Sequence, residues 1–238
     1  MTNKPMTLED AFSKGTAGRH ETFTPRYGWL KKGYDRCLSN SHVFNDDNNI
    51  EKLGVGKNMV RSIRFWCTLF RLLESAEKPG YLQGTEFGRS LLDTDIGWDP
   101  YLEDPASLWL LHWQIFKPPF MAISWNIAFS YKTLPTFTTH ELTDSIYLKA
   151  REFEGVGNIA KGSFEKDASC IIRMYASSTR ERADIRCPFV DLGLIVPATE
   201  QHSIDRYRFA SSQKQTLPDL IFMAAVFEYA SLWFPGQN

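Results

Sequence analysis

Lys57, Asn58, Arg61 and Arg64 recur at the spacing of one helical face, and their types are those that meet nucleic acid. Lys and Arg pair with phosphates or guanine edges, and Asn with adenine edges. Four cations that each neutralise one phosphate would make log K fall against log salt with a slope of about -3.6. The same residues also allow a plainer arrangement, a solvated cationic helix face. Upstream, Arg26, Lys31 and Lys32 are further candidates for DNA contact. His20 and Glu21, flanked by Arg19 and Arg26, have the types of a general base or metal ligand held near a phosphate. They equally fit a structural arrangement, with Glu21 paired to Arg26 or capping a helix and His20 packed beside Phe23. Asp99 and Glu103, followed by Asp104, are closely spaced carboxylates of the kind that metal-dependent phosphodiester cleavage uses. Capping by Asp104 ahead of Pro105 accounts for part of that run. No endonuclease signature is complete: neither a D…ExK constellation nor an HNH spacing is present, and no metal ligands are assigned. The Asp46–Asp47 pair reads as a cap and turn rather than a Mg²⁺ loop.

The element that must carry the cationic face is a predicted helix over 54–74. Met59, Ile63, Trp66, Phe70 and Leu73 form its apolar stripe; Lys57, Arg61, Arg64, Thr68 and Arg71 each lie two positions earlier, about 200° around the axis. Before it, Pro25 begins or precedes a helix with Leu30, Tyr34, Cys37 and Leu38 inward and Lys31, Lys32, Asp35 and Arg36 outward. A short helix with an Asp cap follows over 46–53. After it, Pro79-Gly80 turns a small hairpin, and Thr85 caps a helix reaching Leu92. Helix, short helix, amphipathic helix and hairpin together predict a winged helix-turn-helix in residues 1–95. Ahead of it, residues 1–18 read as a weakly anchored arm with a short helix near Leu8–Phe12.

Residues 96–238 predict a second, mostly helical module. Helices are expected from Pro105, over 120–130, from the Thr138–Glu141 capping box toward Phe153, over 165–176, and over 219–234, with short strands at 187–195 and in YRFAS. Ser177–Arg186 reads as a charged turn. His112 and the indoles of Trp109, Trp113 and Trp125 read as core.

Composition narrows the function. The 238 residues are 43% hydrophobic, enough for a core. Net charge is -1, so the chain is not a basic binder overall. Its cations gather over 19–36 and 52–71 and its carboxylates over 93–104, which fits a nucleic-acid partner on one module. The four cysteines have no metal-ligand spacing. The N-terminus has no apolar secretory core and no run suits a bilayer, so no membrane role and a cytoplasmic location are expected.

Three segments, HETFTPRYGWLKKGYD (20–35), LGVGKNMVRSIRFWC (53–67) and GWDPYLEDPASLWLLHW (97–113), together resemble the family of SspB, a component of the Ssp single-strand DNA phosphorothioation system. CPFVDLGLI (187–195) and the LPDLIFMAAVFEY run (217–229) are similar more weakly. The resemblance implies a DNA-acting protein of antiphage defence that nicks one strand of double-stranded DNA for sulfur insertion. It also implies Mg²⁺ and the ATPase and sulfur-transfer components as partners. Family members continue past the last helix with a Gly-rich segment that is not found here. Two other roles stay open. One is a non-catalytic adaptor that places sulfur-transfer proteins on DNA; the other is a transcriptional regulator of the same cluster.

Overall fold

Four small polar residues fix where helices begin. Thr7, Thr85 and Thr138 hydroxyls accept from the backbone N–H of Asp10, Gly88 and Glu141, and the Asp104 carboxylate from that of Ala106. Each satisfies a donor that the first helical turn leaves without a partner. At Thr138–Glu141 the reciprocal bond completes the expected capping box. The computed structural model describes residues 6–176, 187–198 and 206–234. Within them the helices are α1 (Leu8–Phe12), α2 (Trp29–Ser39), α3 (Asn49–Leu53), α4 (Lys57–Leu69), α5 (Glu86–Leu92), α6 (Pro105–Ile115), α7 (Ile123–Ser130), α8 (Thr139–Ala150), α9 (Lys161–Tyr175) and α10 (Asp219–Trp233). Two antiparallel hairpins complete the fold: β1 (Leu73–Ser75) with β2 (Leu82–Gly84), and β3 (Ile195–Pro197) with β4 (Tyr207–Phe209). The chain is therefore mainly helical with little strand, as expected.

α4 is shorter than the periodicity predicts. Gly54, left-handed at φ 62°, ends α3, and α4 starts only after Gly56. At the far end Phe70 leaves helical geometry and Arg71 turns left-handed at φ 54°. Leu73 thus belongs to β1, and Arg71 leaves the cationic face: its Nη2 donates to the carbonyls of Lys117 and Pro118. The buried side of α4 is Val60, Ile63, Trp66 and Cys67, continued by Phe70, while Met59 is only half-buried.

Other boundaries moved for similar local reasons. α3 begins after Asn48 rather than near Asp46, because the Asp46 carboxylate is used by Asn48 N–H and Lys52 Nζ. The 187–195 stretch is a 3-10 turn over Pro188–Leu192 before β3, not one strand. In α2, Leu38 is exposed and Lys31 is tucked in, the reverse of the predicted faces. The N-terminal arm is anchored: Ala11 and Phe12 are buried, and Phe12 packs on Phe120 and Phe153. The expected charged turn at 177–186 lies outside the described residues.

Residues from both predicted modules share one core. Trp66 of α4 meets Trp125 of α7 at 5.7 Å between ring centroids, and Phe70 stacks on Phe189 at 5.1 Å. α10 differs from the other long helices, since none of its residues is buried. It lies along α6, held by Glu228, which accepts from Trp113 Nε1 at 2.6 Å and pairs with Lys117. No described helix is long and apolar enough to cross a membrane.

Candidate nucleic-acid interface

The turn Gly54-Val55-Gly56 sets α4 after α3, and Gly56 gives α4 no side-chain cap. Its first-turn N–H groups stay at the positive end of the helix dipole. Lys57, Asn58 and Arg61 are exposed along the face that begins there. Arg64 is half-buried, and its Nη1 donates to Asn45 Oδ1 at 2.9 Å. The sequence-derived face therefore survives at four positions and loses Arg71.

The other candidates divide. Arg26 lies over the rings of Phe23 and Trp29, 5.7 and 5.1 Å from their centroids. Lys31 is buried, and its ammonium donates to Asp35 at 2.6 Å and Thr94 at 2.8 Å, so it is engaged within the protein. Lys32 is exposed at a cleft that Tyr27, Asp35 and Tyr101 also line.

His20 has no exposed surface through which to meet a substrate. Its Nε2 is 2.8 Å from Asp167 Oδ1, which also accepts from Gly18 N–H at 2.7 Å, while Ser124 Oγ donates to Oδ2. His20 Nδ1 has no partner among the described residues, and the ring sits between Trp66 and Trp125. The histidine is a tether for the loop that follows it, through Asp167 rather than Phe23. Glu21 is at the surface and pairs with Arg61, not Arg26: Oε1 to Nη1 is 3.6 Å. Glu21 and Thr22 are both left-handed, at φ 51° and 66°, conformations that side-chain-bearing residues rarely adopt.

The Asp99 carboxylate accepts from Glu103 and Asp104 N–H at 3.0 and 2.9 Å, closing the loop ahead of α6. Glu103 is exposed. Among the described residues no three His, Cys, Asp or Glu side chains converge as a metal cage, so His20, Glu21, Asp99 and Glu103 do not form one. A Mg²⁺ held here would need the water-rich shell and one or two carboxylates that this ion accepts.

His112 and the cysteines point inward. His112 packs against Phe116, Phe129 and Tyr175, with Nδ1 on the Tyr175 hydroxyl at 2.9 Å. Burial first, then Lys132, pushes its pKa down to about 3, so it stays neutral. All four cysteines are buried. Burial pushes the Cys37 thiol up to about 11 and raises Cys67 and Cys170 as well.

Two residues of this region escaped the sequence reading. Asp167 has a legible signal, a lone carboxylate between Phe164 and Ile171 on the buried face of α9, which demands a buried partner. Arg173, whose Nη2 donates to the Thr22 carbonyl at 2.6 Å, has none. It sits on the solvated side of α9, where Arg is ordinary.

A mainly helical fold with a cationic helix face and a rigid loop beside it is the class that this geometry defines. Over residues 18–233 the chain matches, and belongs to, the family described as "Protein of unknown function (DUF4007)". It is SspB-like: a crystal structure described as magnesium ion-bound SspB has 33% sequence identity and a TM-score of 0.87, over 95% of this chain and 69% of that one. A second SspB crystal structure has 33% identity and a TM-score of 0.85, over 94% and 68%. No curated protein matches the chain.

Proposed function

We propose that this protein is a DNA-binding component of a phosphorothioation defence system, gripping double-stranded DNA through the exposed face of α4. The observation that carries this is the outward run of Lys57, Asn58 and Arg61 from an uncapped helix start, with Arg64 on the same face. In this reading α2, α3, α4 and the β1–β2 hairpin act as a winged helix-turn-helix, with α4 as the groove helix. The 33% identity to SspB supports the assignment to the system. In this reading sulfur carriage belongs to partner proteins: Cys37, Cys67 and Cys170 are buried, burial raises their thiol pKa, and thiolate is the reactive form.

Strand nicking with Mg²⁺ is the further role that the family resemblance implies, one SspB structure being described as magnesium ion-bound, and Glu21, Asp99 and Glu103 are the exposed or half-exposed carboxylates from the candidate set. A second reading is a non-catalytic adaptor that brings the ATPase and sulfur-transfer proteins to DNA, favoured by the Asp99 carboxylate, whose two oxygens are engaged in closing its own loop. Supercoiled plasmid incubated with the purified chain decides between them. Open-circle product that needs Mg²⁺ and disappears with EDTA establishes nicking. A gel shift without product establishes the adaptor. Neither product nor shift, in folded protein, removes the DNA reading altogether.

A further inference from the structure

We propose that the Glu21 carboxylate holds the place of a DNA phosphate beside Arg61 and Arg173, so that α9 joins α4 in a single phosphodiester site. The inference rests on the DNA-binding reading above and adds a residue from the second half of the chain to the footprint.

Three structural elements meet at this point: the 19–22 loop, α4 through Arg61, and α9 through Arg173. Two guanidinium groups, those of Arg61 and Arg173, contact consecutive residues of this loop, Glu21 through its carboxylate and Thr22 through its carbonyl. A guanidinium carries five N–H donors in a planar fork. Arg173 spends Nη2 on the Thr22 carbonyl and Nε on the Ser169 carbonyl, which leaves donors on the outer edge of its fork. Arg61 has one contact with Glu21, long at 3.6 Å, and the two side chains are 55% and 33% exposed. Such a pair is wet and weak, so another anion displaces it readily. Carboxylate and phosphate present the same two-oxygen edge to a guanidinium, and a phosphodiester fits where the carboxylate sits.

The loop is also built to stay in place. Thr22 is β-branched and left-handed, and Glu21 before it is left-handed too. Strain of this kind persists only where the surroundings impose it. Here they do so from behind. Asp167 holds both Gly18 N–H and His20, and the Phe23 carbonyl accepts from Trp66 Nε1 at 3.0 Å and from Cys170 Sγ. Arg173 fixes Thr22 from the side. Such fixing holds the outer groups of the loop in place, and an anion site gains preorganisation from it. Glu21 is then a displaceable counter-ion of Arg61 rather than a base.

The test is fluorescence anisotropy of a labelled duplex of about two helical turns, titrated with the full chain over a salt series. The variants are Glu21→Gln, Arg173→Ala, Arg173→Lys and Lys57→Ala, each checked by thermal melting. Glu21→Gln is expected to tighten binding several-fold. Arg173→Ala is expected to weaken it roughly ten-fold and to reduce the salt slope by about 0.9, one phosphate's share. Arg173→Lys keeps the cation and the slope, which covers the case in which the alanine variant folds poorly. If Arg173→Ala leaves the slope unchanged and Glu21→Gln gains nothing, while Lys57→Ala still weakens binding, the inference falls and the α4 reading stands. If the wild-type chain binds no duplex, both fall together.

Discussion

α4 and α10 are surface helices of similar length with opposite exteriors. α4 buries Val60, Ile63, Trp66 and Cys67 and turns Lys57, Asn58 and Arg61 to solvent. α10 buries no residue and turns out Leu220 at 79% exposed, Phe227 at 67%, and Phe222, Met223 and Val226 beside them. Its one mid-helix charge, Glu228, faces inward to Trp113 and Lys117. The difference teaches where the molecule's stability and its polar chemistry reside. α4 is fixed by packing on one side, which leaves its other side free to be selected for charge. α10 is attached mainly through a carboxylate and a few ring contacts, so its side chains add little to the fold they rest on.

That contrast can be broken by substitution. Trp66→Ala, which removes a fully buried indole from the α4 face, should cost about 3–5 kcal/mol of folding stability, read from urea or thermal unfolding. A loss below about 1 kcal/mol would mean that α4 is not part of the core.

A pH effect of intermediate size comes from α6, the helix on which α10 lies. His112 is kept neutral in the folded chain with a pKa of about 3, against its ordinary value of 6.5. The unfolded chain takes up this proton as pH falls below about 6.5 while the folded chain does not. This contribution is therefore fully present above pH 6.5 and is lost as pH falls toward 3. The slope is about 1.4 kcal/mol per pH unit, or about 2 kcal/mol by pH 5. His112→Phe should flatten that part of the stability–pH curve. The same curve in the variant would place the acid sensitivity elsewhere.

The smallest effect is expected on α10. Phe227→Ser removes an exposed ring and should change unfolding stability by no more than about 0.5 kcal/mol. A loss comparable with that of Trp66→Ala would show that α10 is covered in solution and would overturn the contrast.

How much of this was legible in the sequence follows the same division. Thr85, Asp104 and the Thr138–Glu141 box mark helix starts that local chemistry alone sets, and all three appeared where their spacing puts them. The ends of α4 were not legible from periodicity, because the apolar pattern runs on through Phe70 and Leu73 into β1 while the backbone turns at Arg71. Periodicity reports burial, and a buried strand after a buried helix continues the signal. Lys31 reads as solvated by type, yet Asp35 one turn on neutralises it and the Thr94 hydroxyl from a distant loop accepts from it. Only the second of those partners is invisible locally. The pairing of Glu21 with Arg61 and the approach of Arg173 depend on tertiary contact, and nothing in their own segments announces it.

The most direct test of the central claim is the salt dependence of duplex binding by the wild-type chain and by Lys57→Ala and Arg61→Ala. The account predicts a linear fall of log K with log salt. Each substitution should weaken affinity and flatten the slope by about 0.9 while the thermal melt is kept. Unchanged affinity and slope in both folded variants would contradict it, and would leave α4 as a solvated helix.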